Sequence, residues 1–314
     1  MGADPFSDML KFTNAESVIS GGFTAGGRWA VRFPRMDKLS FSAFVKGSCW
    51  LRVEDEAPVR IAAGDVCLIS ARQFFTVSGD LDTPPIEAAS VFGPASPIPQ
   101  LGDGAGEDCV QIGGFVKLDP LNGRLLADVL PPLIHVRAGS AHAGVLQALL
   151  EQMVRERQAD LPGAVLISSQ LAQLVFVLIL RAYVEDAPPM SAGWLRAVSD
   201  RRLAPALKLM HGEPARDWQL AELAKAAAMS RTTFAERFRE AAGVAPLAYL
   251  ASWRMRLAER ALREADTPLS VLAPSLGYTS ESAFSNAFKR ATGMAPTRYR
   301  NVARAGLAEA AGAR

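Results

Sequence analysis

The chain has 314 residues, 49% apolar and 21% charged, a length that suggests two domains and a composition that excludes disorder. Its three cysteines, Cys49, Cys67 and Cys109, show no CxxC or CxxH spacing, which argues against a disulfide scaffold or structural zinc and for a reducing cytoplasm. Net charge is only +2, yet residues 1–193 hold 15 basic and 21 acidic side chains against 19 and 11 in residues 194–314, so the basic C-terminal part is suited to a polyanion.

The first twenty residues carry Asp4 and Asp8 and no basic segment followed by an apolar run, so no secretory leader is expected. Residues 23–92 read as short strands, among them Phe41–Val45, Cys49–Val53, Val66–Ile69 and Phe74–Val77, punctuated by Gly47, Asp55, Gly64 and Gly79. Evenly spaced short strands with turn signals predict a sandwich or barrel. A loop rich in Pro and Gly spans 92–107, and a further strand is expected at Cys109–Lys117. After His135 the period changes, and 141–158 and 163–185 read as an antiparallel helical pair, with Pro162 placed to open the second helix. That helix is apolar around most of its circumference from Leu166 to Leu180, so burial on more than one side is expected, in the domain core or at a subunit interface. Its most apolar run, Leu171–Leu180, is too short to span a bilayer, so no membrane partner is expected. Residues 186–193 are a short linker, and everything after them reads as helical.

Within that helical part, Ser230–Tyr249 and Ser280–Tyr299 align without a gap at an offset of fifty. Phe234 matches Phe284, Phe238 matches Phe288, Gly243 matches Gly293, Ala245-Pro246 matches Ala295-Pro296, and Tyr249 matches Tyr299. Such a register marks an internal repeat. Upstream, Leu220, Leu223 and Ala224 match Leu269, Leu272 and Ala273 at an offset of forty-nine, leaving one extra turn residue in the second copy. Each copy is therefore a helix, a tight turn, and a second helix capped by Ser230 or by Thr279 or Ser280, the helix-turn-helix arrangement.

Helical spacing turns Phe234, Phe238 and Ala241 inward in the first copy and Phe284, Ala287, Phe288 and Ala291 in the second. The opposite faces carry Arg231, Thr232, Ala235, Glu236 and Arg239, and Glu281, Ser282, Ser285, Asn286 and Lys289. Short hydrogen-bonding side chains flanked by cations can meet base edges and phosphates in a major groove. An alternative reading is a partner surface that reads no DNA sequence. Between the copies, Leu247–Glu264 reads as one helix bearing Arg254, Arg256, Arg260 and Arg263. If it sets two reading helices into successive grooves on one side of a duplex, they sit about 34 Å apart.

The stretch GYTSESAFSNAFKRATGMAPTRYR closely resembles the signature of the AraC/XylS transcriptional regulators. MSRTTFAERFREAAGVAPLAYLASWRMRLA resembles their first helix-turn-helix and linker helix. More weakly, WLRVEDEAPVRIAAGDVCLI, the GGF at 113–115 and LLADVLPPLIHV resemble a cupin-type sensor domain found in a branch of that family. The resemblance implies an α+β protein of two domains: an N-terminal cupin-like β-barrel with a helical pair, and a C-terminal all-α domain with two helix-turn-helix units joined by a linker helix. It divides the chain into a sensor at 1–140, a helical pair and dimerisation element at 141–186, a linker at 187–199, the DNA-binding domain at 200–301 and a flexible tail at 302–314. It further implies a cytoplasmic homodimer that binds promoter DNA, is controlled by a small-molecule effector, and contacts RNA polymerase where it activates. Three positions depart from expectation. Ala228 stands where a turn glycine is common, Pro274 falls inside a short helix, and Pro205 raises the same question near Leu203–His211.

Catalysis is not expected. Cupin enzymes gather histidines and a carboxylate after a glycine turn, but Gly47 is followed by SCWLRVEDE, the later strand reads ISARQFFTV, and His135, His142 and His211 are scattered. No metal or other cofactor is therefore expected. What remains is a barrel mouth for one small ligand, with Trp29, Trp50, Phe74 and Phe75 as candidate lining residues. Cys49 and Cys67 alternate with apolar neighbours and read as buried thiols.

Overall fold

A computed structural model describes residues 4–13, 15–71, 73–93, 98–104, 108–118, 123–159, 161–186 and 191–303, so the expected tail at 302–314 lies almost wholly outside them. Packing divides the chain into two units, one of Thr13–Met190 and one that joins the residues up to Phe12 to those from Ser191 onward. The chain enters through helix α1 (Pro5–Thr13), which packs with the C-terminal helices.

Among the described residues eleven strands follow: β1 (Glu16–Ala25), β2 (Ala30–Phe33), β3 (Leu39–Lys46), β4 (Ser48–Val53), β5 (Val59–Ala62), β6 (Val66–Ile69), β7 (Phe75–Ser78), β8 (Ile86–Glu87), β9 (Gln100–Leu101), β10 (Cys109–Lys117) and β11 (Leu133–Val136). They form a six-stranded sheet in the order β11-β6-β3-β10-β1-β9 and a five-stranded sheet in the order β5-β4-β7-β2-β8. In β4, Cys49, Leu51 and Val53 are buried while Ser48, Trp50 and Arg52 are not, the period-2 alternation of a half-buried strand. The corner between β3 and β4 is Gly47, with φ +78°. A Cβ there would fall 1.7 Å from the Asp108 carbonyl oxygen, so only glycine fits. The interior is filled by Phe23, Phe44, Leu51, Ile61 and Val77, with all three cysteines buried. Burial drives the Cys67 thiol far up from its ordinary range, which keeps it un-ionised and unreactive.

A short helix α2 (Arg124–Ala127) precedes β11, and the pair α3 (Ala143–Ala159) and α4 (Ala164–Glu185) follows it. Gly163, at φ +86°, stands between Pro162 and α4, so the proline lies outside the helix instead of opening it. Helix α4 lies on β1, β6 and β11, burying Ala172, Val175, Phe176, Ile179 and Leu180, and Gln173 Oε1 accepts the Ser17 N–H at 3.1 Å. It has 22 residues and, by length and composition alone, is long and apolar enough to cross a membrane, unlike the ten-residue run singled out in the sequence. Burial is confined to one side: Val165 is 87% exposed, Leu166 66% and Leu174 52%.

The second unit is helical: α5 (Trp194–Ser199), α6 (Ala204–Gly212), α7 (Leu220–Ala226), α8 (Arg231–Ala242), α9 (Pro246–Glu264), α10 (Leu269–Ser275), α11 (Glu281–Thr292) and a last helical segment at 296–303. Its boundaries differ from the expected 187–199 linker and 1–140 sensor. Residues 194–199 form α5, with Trp194, Leu195 and Ala197 buried. The Gly193 N–H donates to the Ala241 carbonyl at 2.8 Å, and Asp200 pairs with Arg237 at 2.7 Å. Helix α1 joins this unit because Met9, Leu10 and Phe12 are apolar and buried, with Phe12 edge-on to Trp253 at 6.3 Å. Pro205 sits in the first turn of α6, where its missing N–H costs nothing.

Candidate functional site

Burial matches residue by residue along the first ten residues of α8 and α11 and then diverges, Ala241 being buried while Ala291, expected to face inward, is exposed. Over Arg231–Glu240 and Glu281–Arg290 the sequence of exposed, half-buried and buried positions is the same. Phe234, Phe238, Phe284 and Phe288 are fully buried. Phe238 meets Tyr249 edge-on at 5.5 Å, and Phe288 meets Tyr299 at 5.3 Å. Equal packing of these aromatic anchors presents the outer faces alike: Arg231, Thr232, Glu236 and Arg239 on α8, and Glu281, Ser282, Asn286 and Lys289 on α11, are all exposed, while Ala235 and Ser285 are half-buried. Arg290 is exposed on α11 where α8 has Glu240, a cation that the paired comparison did not single out.

Both helices are tightly delimited. The Ser230 hydroxyl accepts the Thr233 N–H at 3.2 Å and the Ser280 hydroxyl accepts the Ala283 N–H at 3.1 Å, each satisfying one of the orphan donors of a first turn. Gly243 and Gly293 close them in the left-handed region at φ +77° and +79°. The turns before them also correspond: the Ala228 N–H bonds the Lys225 carbonyl and the Gly277 N–H bonds the Pro274 carbonyl, both at 3.0 Å. Ala228 and Gly277 both have positive φ, +52° and +80°, so the strain anticipated for Ala228 is present. Pro274 is the second-last residue of α10, where the helix is already ending.

Helix α9 spans Pro246–Glu264 without a break. Its arginines are largely engaged within the unit: Arg254 donates to the Pro214 and Arg216 carbonyls at 2.6 and 2.8 Å, and Arg260 pairs with Glu264 at 2.9 Å. Half-buried Arg256 lies over the Phe12 ring at 5.9 Å. Beside it, the His211 side chain has no solvent exposure. It stacks on Trp253 at 4.2 Å and bonds Tyr249 at 3.0 Å and Asp8 at 3.2 Å. Burial lowers its pKa from 6.5 to about 4 against the opposing pull of Asp8. Tyr249 and Trp253 belong to the rod between α8 and α11, so this cluster fixes α1 and α6 to that rod.

The four proposed lining residues of the N-terminal unit do not converge. Trp29 is 4% exposed and packs on Phe23 in the core. Trp50 faces outward under Arg60 at 5.5 Å, and Phe74 lies under Arg35 at 5.3 Å, where Arg35 is tied to Glu54. Strand alternation accounts for this, because Trp50 sits on the opposite face of β4 from Leu51. Phe75 alone lines a cavity of about 350 Å³, together with Phe33, Met36, Lys38, Phe92, Gln111 and Phe115. Among the described residues no group of three or more His, Cys, Asp or Glu side chains could hold a metal ion.

A helical unit with two equivalent capped helices on a rod, in one chain with a two-sheet unit that holds a small-molecule-sized cavity, is the architecture of a two-domain DNA-binding regulator. A family described as Cupin matches residues 4–185, and one described as Helix-turn-helix domain matches residues 223–301. The chain is 40% identical over 282 residues to an AraC-like transcription regulator of Streptomyces antibioticus, covering 89% of this chain and 92% of that one. It is 29% identical to the transcriptional regulator AlkR of Acinetobacter baylyi, covering 82% and 86%. Among solved structures, the DNA-binding domain of AdpA in complex with a target DNA is 33% identical, with a TM-score of 0.32, covering 33% of this chain and 94% of that one. The chain belongs to the AraC-like transcription regulators, and it is a sequence-specific DNA-binding transcriptional regulator.

Proposed function

We propose that α8 and α11 are the two elements that read promoter DNA, in successive major grooves, and that the two-sheet unit binds a small-molecule effector without metal or catalysis. The observation that carries the first part is the identical exposure pattern of Arg231–Glu240 and Glu281–Arg290. Thr232, Ser282, Ser285, Asn286, Glu236 and Glu281 supply hydrogen-bonding groups for base edges, and Arg231, Arg239 and Lys289 supply cations for phosphates. The partly exposed apolar face of α4 supports a homodimer through α3 and α4. RNA polymerase is the further partner where the protein activates, and the cytoplasm is its compartment.

Titrating the full-length protein against its own upstream DNA and a scrambled duplex at several salt concentrations tests the division of labour. Asn286→Ala is expected to shrink the preference for the native sequence by about 1–3 kcal/mol. Arg231→Ala is expected to weaken both duplexes equally and flatten the salt slope by about one. Equal effects of the two substitutions on sequence preference would refute the assignment.

A further inference from the structure

The cavity of the two-sheet unit has one polar wall. Lys38 immediately precedes β3, in which Ser40 and Ser42 alternate, and Gln111, Gly113 and Phe115 alternate along β10. The strands are paired so that Ser42 stands opposite Gly113 and Ser40 opposite Phe115. Residues two apart point to one face, so Lys38, Ser40, Ser42 and Gln111 are presented together, and all four line the cavity. Ser40, Ser42 and Gln111 are buried. The Gln111 amide donates to the Ser42 hydroxyl at 2.9 Å, which leaves the second amide hydrogen and the Ser42 hydroxyl hydrogen for another acceptor.

The rest of the lining is apolar. Phe33 stacks on Phe75 at 4.7 Å and leans on Phe92 at 5.5 Å. Glycines on β1 and β10 allow close packing around it: a Cβ on Gly114 would sit 2.4 Å from the Phe41 ring, and one on Gly22 2.2 Å from the Gln111 carbonyl oxygen. Among the described residues, Lys38 is the single charged one of the lining. Its ammonium rests over the Phe115 ring at 4.1 Å, with no carboxylate in ion-pair range among the described residues. A half-buried cation above neutral donors, at the edge of an aromatic cavity, is matched by a single negative charge on an apolar body. A dianion would leave one charge unneutralised, and a cation would be repelled. The volume, about 350 Å³, lies at the small end of the roughly 300–1,000 Å³ typical of small-molecule sites.

We propose that the cavity takes a small apolar monocarboxylate, with its carboxylate on Lys38 and the Ser42–Gln111 pair and its body among Phe33, Phe75 and Phe92. This rests on the reading that the two-sheet unit binds an effector. Calorimetric titration of the full-length protein with octanoate and 3-phenylpropionate, each against its primary amide, tests it. The acids are expected to bind, Lys38→Met to weaken them at least tenfold while leaving the amides unchanged, and Ala89→Trp, at the exposed rim of the cavity, to abolish binding altogether. Amides that bind as tightly as acids, with no effect of Lys38→Met, would overturn the anionic class and leave the effector reading standing. Acid binding that survives Ala89→Trp would place the ligand elsewhere and overturn both, and no binding by either acid would overturn the proposal.

Discussion

At the scale of single residues, backbone geometry makes the sharpest statement. Ala228 holds a left-handed conformation that Gly277 supplies freely in the matching turn, and such a conformation costs an L-residue about 1–2 kcal/mol. Ala228→Gly is therefore expected to stabilise the helical unit by about 1 kcal/mol. Gly277→Ala is expected to destabilise it by more, because its Cβ would fall 2.3 Å from the Ala215 carbonyl oxygen. Thermal unfolding of both variants checks this, and equal shifts would contradict it. His211 gives a pH dependence of definite sign. Burial holds it near pKa 4 in the folded protein, against 6.5 for the free side chain, so the unfolded chain binds the extra proton. Stability is complete above about pH 6.5 and falls as pH drops toward 4, by up to about 1.4 kcal/mol per unit. Denaturant unfolding at pH 7 and pH 5 is expected to show this loss in the parent and a smaller one in His211→Gln; an undiminished loss in the variant would assign it to other groups.

At the scale of elements, what was legible in the sequence was what repeats. Phe234 and Phe284, Gly243 and Gly293, and the two Ala-Pro pairs located α8 and α11 because each copy solves the same packing problem with the same residues. The strands at Cys49–Val53 and Val66–Ile69 were legible from turn residues and composition. The role of α1 was not, because the partners of Asp8 and Phe12 are His211 and Trp253, more than two hundred residues away, and no local pattern encodes so distant a contact. The lining of the cavity is hidden for a related reason: residue type points to Trp50 and Phe74, whereas Lys38, Gln111 and the glycines line it through cross-strand register. Helix α4 is expected to be buried on more than one side, in the core or at a subunit interface, and Val165, Leu166 and Leu174 are exposed in the single chain. If that face joins two copies, Leu166→Glu with Leu174→Glu is expected to convert a sedimenting dimer to a monomer at micromolar concentration without lowering the unfolding temperature. A dimer that persists would move the interface elsewhere.

At the scale of the whole molecule, two independently packed units are joined twice by the chain. One connection follows α4. The other runs from α1, packed in the helical unit, directly into β1, whose Gly21 and Gly22 line the cavity. The helical unit rests on a rod, α9, whose buried face carries Tyr249, Trp253, Ala258 and Leu262, and on that rod α8 and α11 are held in one fixed relation. Hydroxyl-radical and base-methylation footprinting of the full-length protein on its upstream DNA tests that relation most directly. Two protected major-groove patches on one face of the duplex, about 34–36 Å apart, are the predicted result, and a single patch, or patches on opposite faces, would contradict it.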